Sequence, residues 1–190
     1  MYYWGNQDTS VVFCEEKYRE VSWIGEYYNT LSSLSYILVG LFFLNSKVSK
    51  LAQGVLWIGV GSMLLHGTLR YYGQWLDEGA MIVTSFWGLQ YIRPYISDYY
   101  LIPLLFIYFL FYDLYIIFLL SFGLINIYLL YSTLQRSGAC GKFYIFFFVL
   151  GFSCWLLDKF MCSFLQSYQL HAYWHLFSSI AIFFALWELL

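Results

Sequence analysis

Residues 98–135 read DYYLIPLLFIYFLFYDLYIIFLLSFGLINIYLLYSTLQ, and the number of times this stretch crosses a membrane decides the fold. At about 1.5 Å of rise per residue it is too long for one helical crossing and slightly short for two. Asp113 sets the count. A lone carboxylate between two strongly apolar runs is costly at the bilayer centre and cheap at its surface, so it marks a tight turn between a helix over 98–112 and another over 114–135.

Working outward, further apolar runs bounded by charge, Gly or Pro cover 29–45, 51–68, 76–93, 142–162 and 170–189. The expectation is an all-α polytopic membrane protein, a seven-transmembrane helix bundle. It forms a single membrane domain over 1–190 with an extramembrane segment over 1–28. Composition agrees. The 190 residues are 62% hydrophobic, 25% aromatic and 11% charged, with two prolines, which an ordinary soluble domain of this size does not show. Runs of nearly twenty apolar residues favour helices over a closed barrel, the only other structure that satisfies its backbone in lipid. There is no separate soluble domain, low-complexity tract or internal repeat. The start, MYYWGNQDTSVVFCEEKYRE, is acidic and aromatic rather than basic and then apolar, so it does not read as a cleavable signal peptide.

Seven crossings sort the charges by side. The amino-terminal side collects Lys17, Arg19, Arg70 and Lys159 against nine carboxylates (Asp8, Glu15, Glu16, Glu20, Glu26, Asp77, Glu78, Asp113 and Asp158), a net of −5. The other side sets Lys47, Lys50, Arg93, Arg136 and Lys142 against Asp98 and Glu188, a net of +3. Five basic residues against four orient the amino terminus extracytoplasmically, lumenal or periplasmic, and the carboxyl terminus to the cytoplasm.

Parity also places all three histidines of the chain at one membrane level, that of the acidic face. His66 stands near the end of the second span, in GSMLLHGTLRYYGQWLDEG, with Ser62 four residues before it on the same face and Asp77 returning at the head of the third span. The last span opens with HAYWH, where His171 and His175 share the i, i+4 relation that lets one helical face offer two imidazoles to a single metal ion. Zinc suits three histidines: the fourth tetrahedral position stays free for water, whose pKa zinc lowers to about 7. The plainer reading is that interfacial histidines cap helices, bond lipid headgroups or snorkel. Against it, the histidines come with Ser62 and Asp77, polar groups that are expensive near lipid. Were 98–135 a single helix, HAYWH would lie opposite His66, so the span count and the metal reading stand together.

The eight tryptophans fall mostly near the ends of the expected spans, as interfacial belts require. The four cysteines have no zinc spacing. Cys140 and Cys154 read as ordinary apolar residues, whereas Cys14 and Cys162 both fall on the acidic side, where an oxidising compartment would allow them to pair.

At this point the chain resembles the alkaline ceramidase family, seven-helix zinc amidases within a wider group that includes adiponectin-receptor and haemolysin-III-like proteins. The likeness runs through YWG at 3–5, CEEKY at 14–18, GEYYNTLSSLS at 25–35, SMLLHGTLRYYGQWLDE at 62–78, WLLDKFMC at 155–162 and HAYWH at 171–175. The Ser, His, Asp and paired-His core is shared with the wider group. The CEE segment, the Glu of GEYYNT and the late cysteine are more particular to alkaline ceramidases. The resemblance implies zinc on His66, His171 and His175, with Asp77 orienting or deprotonating the attacking water and Ser62 stabilising the oxyanion. It also implies a Cys14–Cys162 disulfide, and cleavage of a ceramide within the bilayer to a sphingoid base and a free fatty acid. No nucleic-acid partner and no obligate protein partner are implied.

The family also carries a calcium site in its amino-terminal segment. It is built from a carboxylate before the CEE stretch, a carbonyl, the first Glu, a following Asn and the Glu at the start of helix 1. Glu15 and Glu26 remain here, but Val12 stands at the leading acidic position and Lys17 at the Asn position. A lost anionic oxygen and an added ammonium both oppose a hard divalent cation. The expectation is that Lys17 replaces calcium, bridging Glu15 and Glu26. The rival readings are a receptor or membrane protein of the wider group that keeps a structural zinc site, and a scaffold without catalysis.

Overall fold

The computed structural model describes residues 3–136 and 138–190; the side chain of Arg136, assigned above to the basic side, lies outside the described residues. Most of those residues are helical, with no strand among them. After an irregular strap over residues 3–26 come α1 (Tyr27–Ser32), α2 (Leu34–Phe43), α3 (Ser49–Thr68) and α4 (Tyr71–Ile92), followed by α5 (Leu101–Leu110) and α6 (Tyr115–Arg136). The chain closes with α7 (Ala139–Phe160), the single turn α8 (Cys162–Leu165) and α9 (Leu170–Glu188).

Breaks in the helices have local causes. Between α1 and α2, the Ser33 hydroxyl returns to the Asn29 carbonyl at 2.8 Å, a back-bond that competes with the main-chain ladder and bends the helix. Between α5 and α6 the chain turns at residues 111–114, with Asp113 in the turn. The α3–α4 connection is tighter. Leu69 takes a left-handed backbone (φ 54°) and its N–H donates to the Leu65 carbonyl at 2.7 Å. Such a conformation costs a leucine about 1–2 kcal/mol, and the burial of its side chain opposes that strain.

This turn sets α3 and α4 against each other at close range. A Cβ added at Gly61 would run into the backbone of Asp77, and one at Gly73 into the backbone of Leu65. Absent side chains let the two helices approach as small residues do in membrane interfaces, so that Asp77 on α4 and Ser62 on α3 line one cavity. The main apolar core lies further along the bundle, with Phe43, Val48, Leu51, Val55, Ile58 and Leu186 at its centre. A second cluster joins α4, α5 and α6 through Ile82, Tyr108 and Phe118.

Large apolar side chains cover the outside of the bundle. Leu38, Phe42, Leu124, Ile127 and Phe146 are each about 60% exposed or more, a surface that water would not tolerate over such an area. Tyr115–Gln135, Ala139–Phe160 and Leu170–Glu188 are long and apolar enough to cross a membrane. The chain is a membrane protein.

Candidate metal centre

The carboxyl-terminal end of α3 and the amino-terminal end of α9 meet at one end of the bundle. His66, His171 and His175 are all buried there, with one ligand atom from each within 4.8 Å of the others. Ring centroids stand 5.1 Å apart for His66 and His171, 5.0 Å for His66 and His175, and 4.6 Å for His171 and His175.

Their outer partners decide which nitrogens are free. His66 Nδ1 lies 2.5 Å from Glu26 Oε2, and His175 Nδ1 lies 2.8 Å from Ser32 Oγ and 3.2 Å from the Asn29 carbonyl. A ring nitrogen that faces a carboxylate or carbonyl carries the proton, leaving Nε2 of both rings with its lone pair. His66 Nε2 and His171 Nδ1 are buried without a hydrogen-bond partner among the described residues. Buried nitrogens normally find a donor or a cation; three imidazoles converging in this way fit zinc.

Two further groups line the same space. Ser62 Oγ lies 3.5 Å from His175 Nε2 and 2.9 Å from the hydroxyl of Ser33, whose own proton goes to the Asn29 carbonyl. Asp77 is buried, and its Oδ1 has no partner among the described residues. Ser62, Asp77, His171 and His175 line a cavity of about 60 Å³. That cavity shares Tyr36, Ile58, Met81, Phe122 and Trp174 with an apolar chamber of about 180 Å³ that continues along the bundle.

The amino-terminal strap roofs this end. Phe13 packs its ring against His171 (4.0 Å between centroids) and His66 (4.8 Å). The strap is pinned on both sides of that ring. Cys14 and Cys162 form a disulfide, the Cys14 N–H donates to Asp158 at 3.2 Å, and Gln166 donates to the Cys14 carbonyl at 3.0 Å. Upstream, the Ser10 N–H donates to Gln74 at 2.9 Å, and Asp8 pairs with Arg70 at 2.7 Å while accepting from the Tyr71 N–H.

Beneath the strap sits a charge cluster. Lys17 Nζ donates to the carbonyl oxygens of Phe13 (2.8 Å) and Glu15 (2.9 Å) and pairs with Glu26 Oε1. It meets Glu15 through the main chain only. The Glu15 carboxylate accepts instead from the N–H groups of Tyr28 (2.8 Å) and Asn29 (2.9 Å) at the start of α1, a favourable place for an anion. Val12 turns outward, 59% exposed. Burial pushes the Glu15 carboxyl up. Burial also acts to raise Glu26, but His66 and Lys17 outweigh it and hold that carboxyl below its ordinary range.

Several site residues have no advance signal in the sequence reading. Phe13 is a single aromatic among many, and Ser33 and Asn29 sit within the quoted GEYYNTLSSLS as polar letters without a spacing rule. Glu78, beside Asp77, has a partly readable one. It shares a helical face with Gln74, which donates to it at 2.9 Å, while the Tyr108 hydroxyl donates at 2.8 Å.

The family model described as Ceramidase matches residues 5–189. An alkaline ceramidase from Arabidopsis thaliana is 26% identical over 93% of this chain and 81% of its own length. Alkaline ceramidase 3 from Mus musculus is 26% identical over 94% and 81%, and alkaline ceramidase 1 from Homo sapiens 25% identical over 92% and 79%. With the match running nearly from end to end, through the strap, the histidines and both cysteines, the chain belongs to the ceramidase family.

Proposed function

We propose that the chain is a zinc-dependent amide hydrolase that cleaves ceramide within the membrane to a sphingoid base and a free fatty acid. The observation that carries this reading is the convergence of three buried histidines beside a cavity that His171 and His175 line together with Ser62 and with Asp77, whose Oδ1 has no partner among the described residues, next to an apolar chamber that shares five of its lining residues. His66, His171 and His175 hold the metal. Zinc, when bound, supplies a Lewis acid and lowers the pKa of water to about 7. Asp77 takes a proton from the attacking water as its oxygen bonds to the carbonyl carbon, and delivers a proton to the nitrogen as the C–N bond breaks. Ser62 turns its hydroxyl proton to the carbonyl oxygen as that atom gains charge. The chamber takes a hydrocarbon chain, which an enzyme acting on a two-tailed lipid requires.

Seven crossings put the metal end at the extracytoplasmic surface and the carboxyl terminus in the cytoplasm. The Cys14–Cys162 disulfide supports that orientation, because such bonds persist on oxidising sides of membranes. Lys17 takes the place of a calcium ion, its ammonium surrounded by two carbonyls and Glu26. Activity is therefore independent of calcium; a loss on chelation that added calcium alone restores would contradict this. The direct test incubates purified protein with labelled ceramide beside His175→Ala. Fatty acid is expected from the unmutated protein alone, and equal release from both would overturn the hydrolase reading.

A further inference from the structure

The apolar chamber contains a polar pair that the reaction does not use. It runs along α9 from Trp174 to Glu188, about 21 Å at helical rise. Midway along it Asn126 of α6 faces Ser85 of α4. Asn126 is 7% exposed. Its Nδ2 donates to the Phe122 carbonyl at 2.9 Å and to Ser85 Oγ at 3.1 Å. A carbonyl can only accept, so the group facing Phe122 is the amide nitrogen, and Oδ1 is the other atom. That Oδ1 has no hydrogen-bond partner among the described residues. Tying α4 to α6 uses the nitrogen alone; the oxygen remains an unused acceptor in a chamber whose lining is mostly apolar, where it is costly to leave.

We propose that Asn126, with Ser85 behind it, is a specificity site for a hydroxyl carried at mid-chain on the hydrocarbon tail of the amide substrate. A hydroxyl is the donor a lipid tail can bring to a lone amide oxygen. The depth is set by α4: Ser85 lies eight residues beyond Asp77, about 12 Å from the reacting end, which places the hydroxyl far from the amide and its headgroup. This rests on the ceramide-hydrolase reading above and adds a preference within it.

The test uses the zinc-loaded, full-length protein and three ceramides: one unsubstituted, one with a mid-chain hydroxyl on the acyl chain, and one with it on the sphingoid chain. In wild type, one hydroxylated substrate is expected to gain roughly fivefold in kcat/KM, the weight of one neutral hydrogen bond, and the arm that gains identifies which chain enters the chamber. In Asn126→Leu that ratio falls to one. Should the variant not fold, inhibition of wild type by hydroxystearic against stearic acid, and by the matching pair of sphingoid bases, makes the same comparison. Equal handling of all three ceramides by an active wild type overturns the proposal and leaves the hydrolase reading intact, as does a preference that survives Asn126→Leu. No hydrolysis of any of them overturns the underlying reading.

Discussion

The two ends of the bundle are built differently. At the metal end, polar side chains are buried in quantity and several hold one another: Glu26 holds His66, Lys17 and Asn29, Ser33 meets Ser62, and a disulfide fastens the strap whose Phe13 covers the histidines. At the far end the contacts are those of packed rings, Phe43 and Phe42 against Phe183 and Trp187, with a carboxylate, Glu188, accepting from the N–H groups of Gly138 and Gly141 at the start of α7. Hydrogen-bonded networks in a low dielectric fix one geometry and tolerate little loss, whereas apolar packing can be reshaped with a graded loss of stability. Substitutions at the metal end should strike chemistry; those at the far end should strike stability and leave the metal in place.

The largest effect is expected from His175→Ala, which removes one of three ligands: ceramide hydrolysis falls below detection and bound zinc is lost, read by product release and metal analysis. Next comes Phe43→Ala at the opposite end, where emptying a fully buried ring site costs about 3–5 kcal/mol. A lower thermal midpoint with metal content retained fits the contrast, and loss of zinc from the folded variant breaks it. Cys14→Ser is expected to cost about 2–4 kcal/mol, visible in the same melting measurement, and in addition to lower activity in the folded protein because Phe13 is no longer pinned over His66 and His171. Glu26→Gln keeps the shape but removes the carboxylate from His66 and Lys17; zinc affinity, measured by competition with a chelator, should fall roughly 10–100-fold. The smallest is Glu188→Ala, which frees the amides of Gly138 and Gly141 at the start of α7 and should cost about 1 kcal/mol with bound zinc retained.

Much of the metal end was readable because its chemistry uses rare residues at periodic spacing. Three histidines in 190 residues, two of them at i, i+4, and a carboxylate returning after a short turn are conspicuous in an apolar chain. Asp113 marked the turn between α5 and α6 for a similar reason, since charge is expensive where lipid is. The strap over the metal site was not readable, because Phe13 reaches the histidines through tertiary contacts that no periodicity encodes. The break at Ser33 is not readable either; a serine within an apolar run gives no sign of whether its hydroxyl will turn back on the helix. Lys17 was recognised as a cation in place of a cation, yet its contact with Glu15 runs through a carbonyl, because the Glu15 carboxylate is drawn to the amides that open α1. The polar pair of Asn126 and Ser85 lies forty-one residues apart in sequence and belongs to the packing of α4 against α6.

Metal analysis on purified protein, paired with ceramide turnover on the same samples, bears most directly on the zinc-hydrolase reading. The unmutated chain is expected to carry one zinc ion and release fatty acid from ceramide, and folded His66→Ala to do neither. A wild-type chain that hydrolyses ceramide after its metal has been fully removed, or a His66→Ala variant that retains both zinc and turnover, would contradict it.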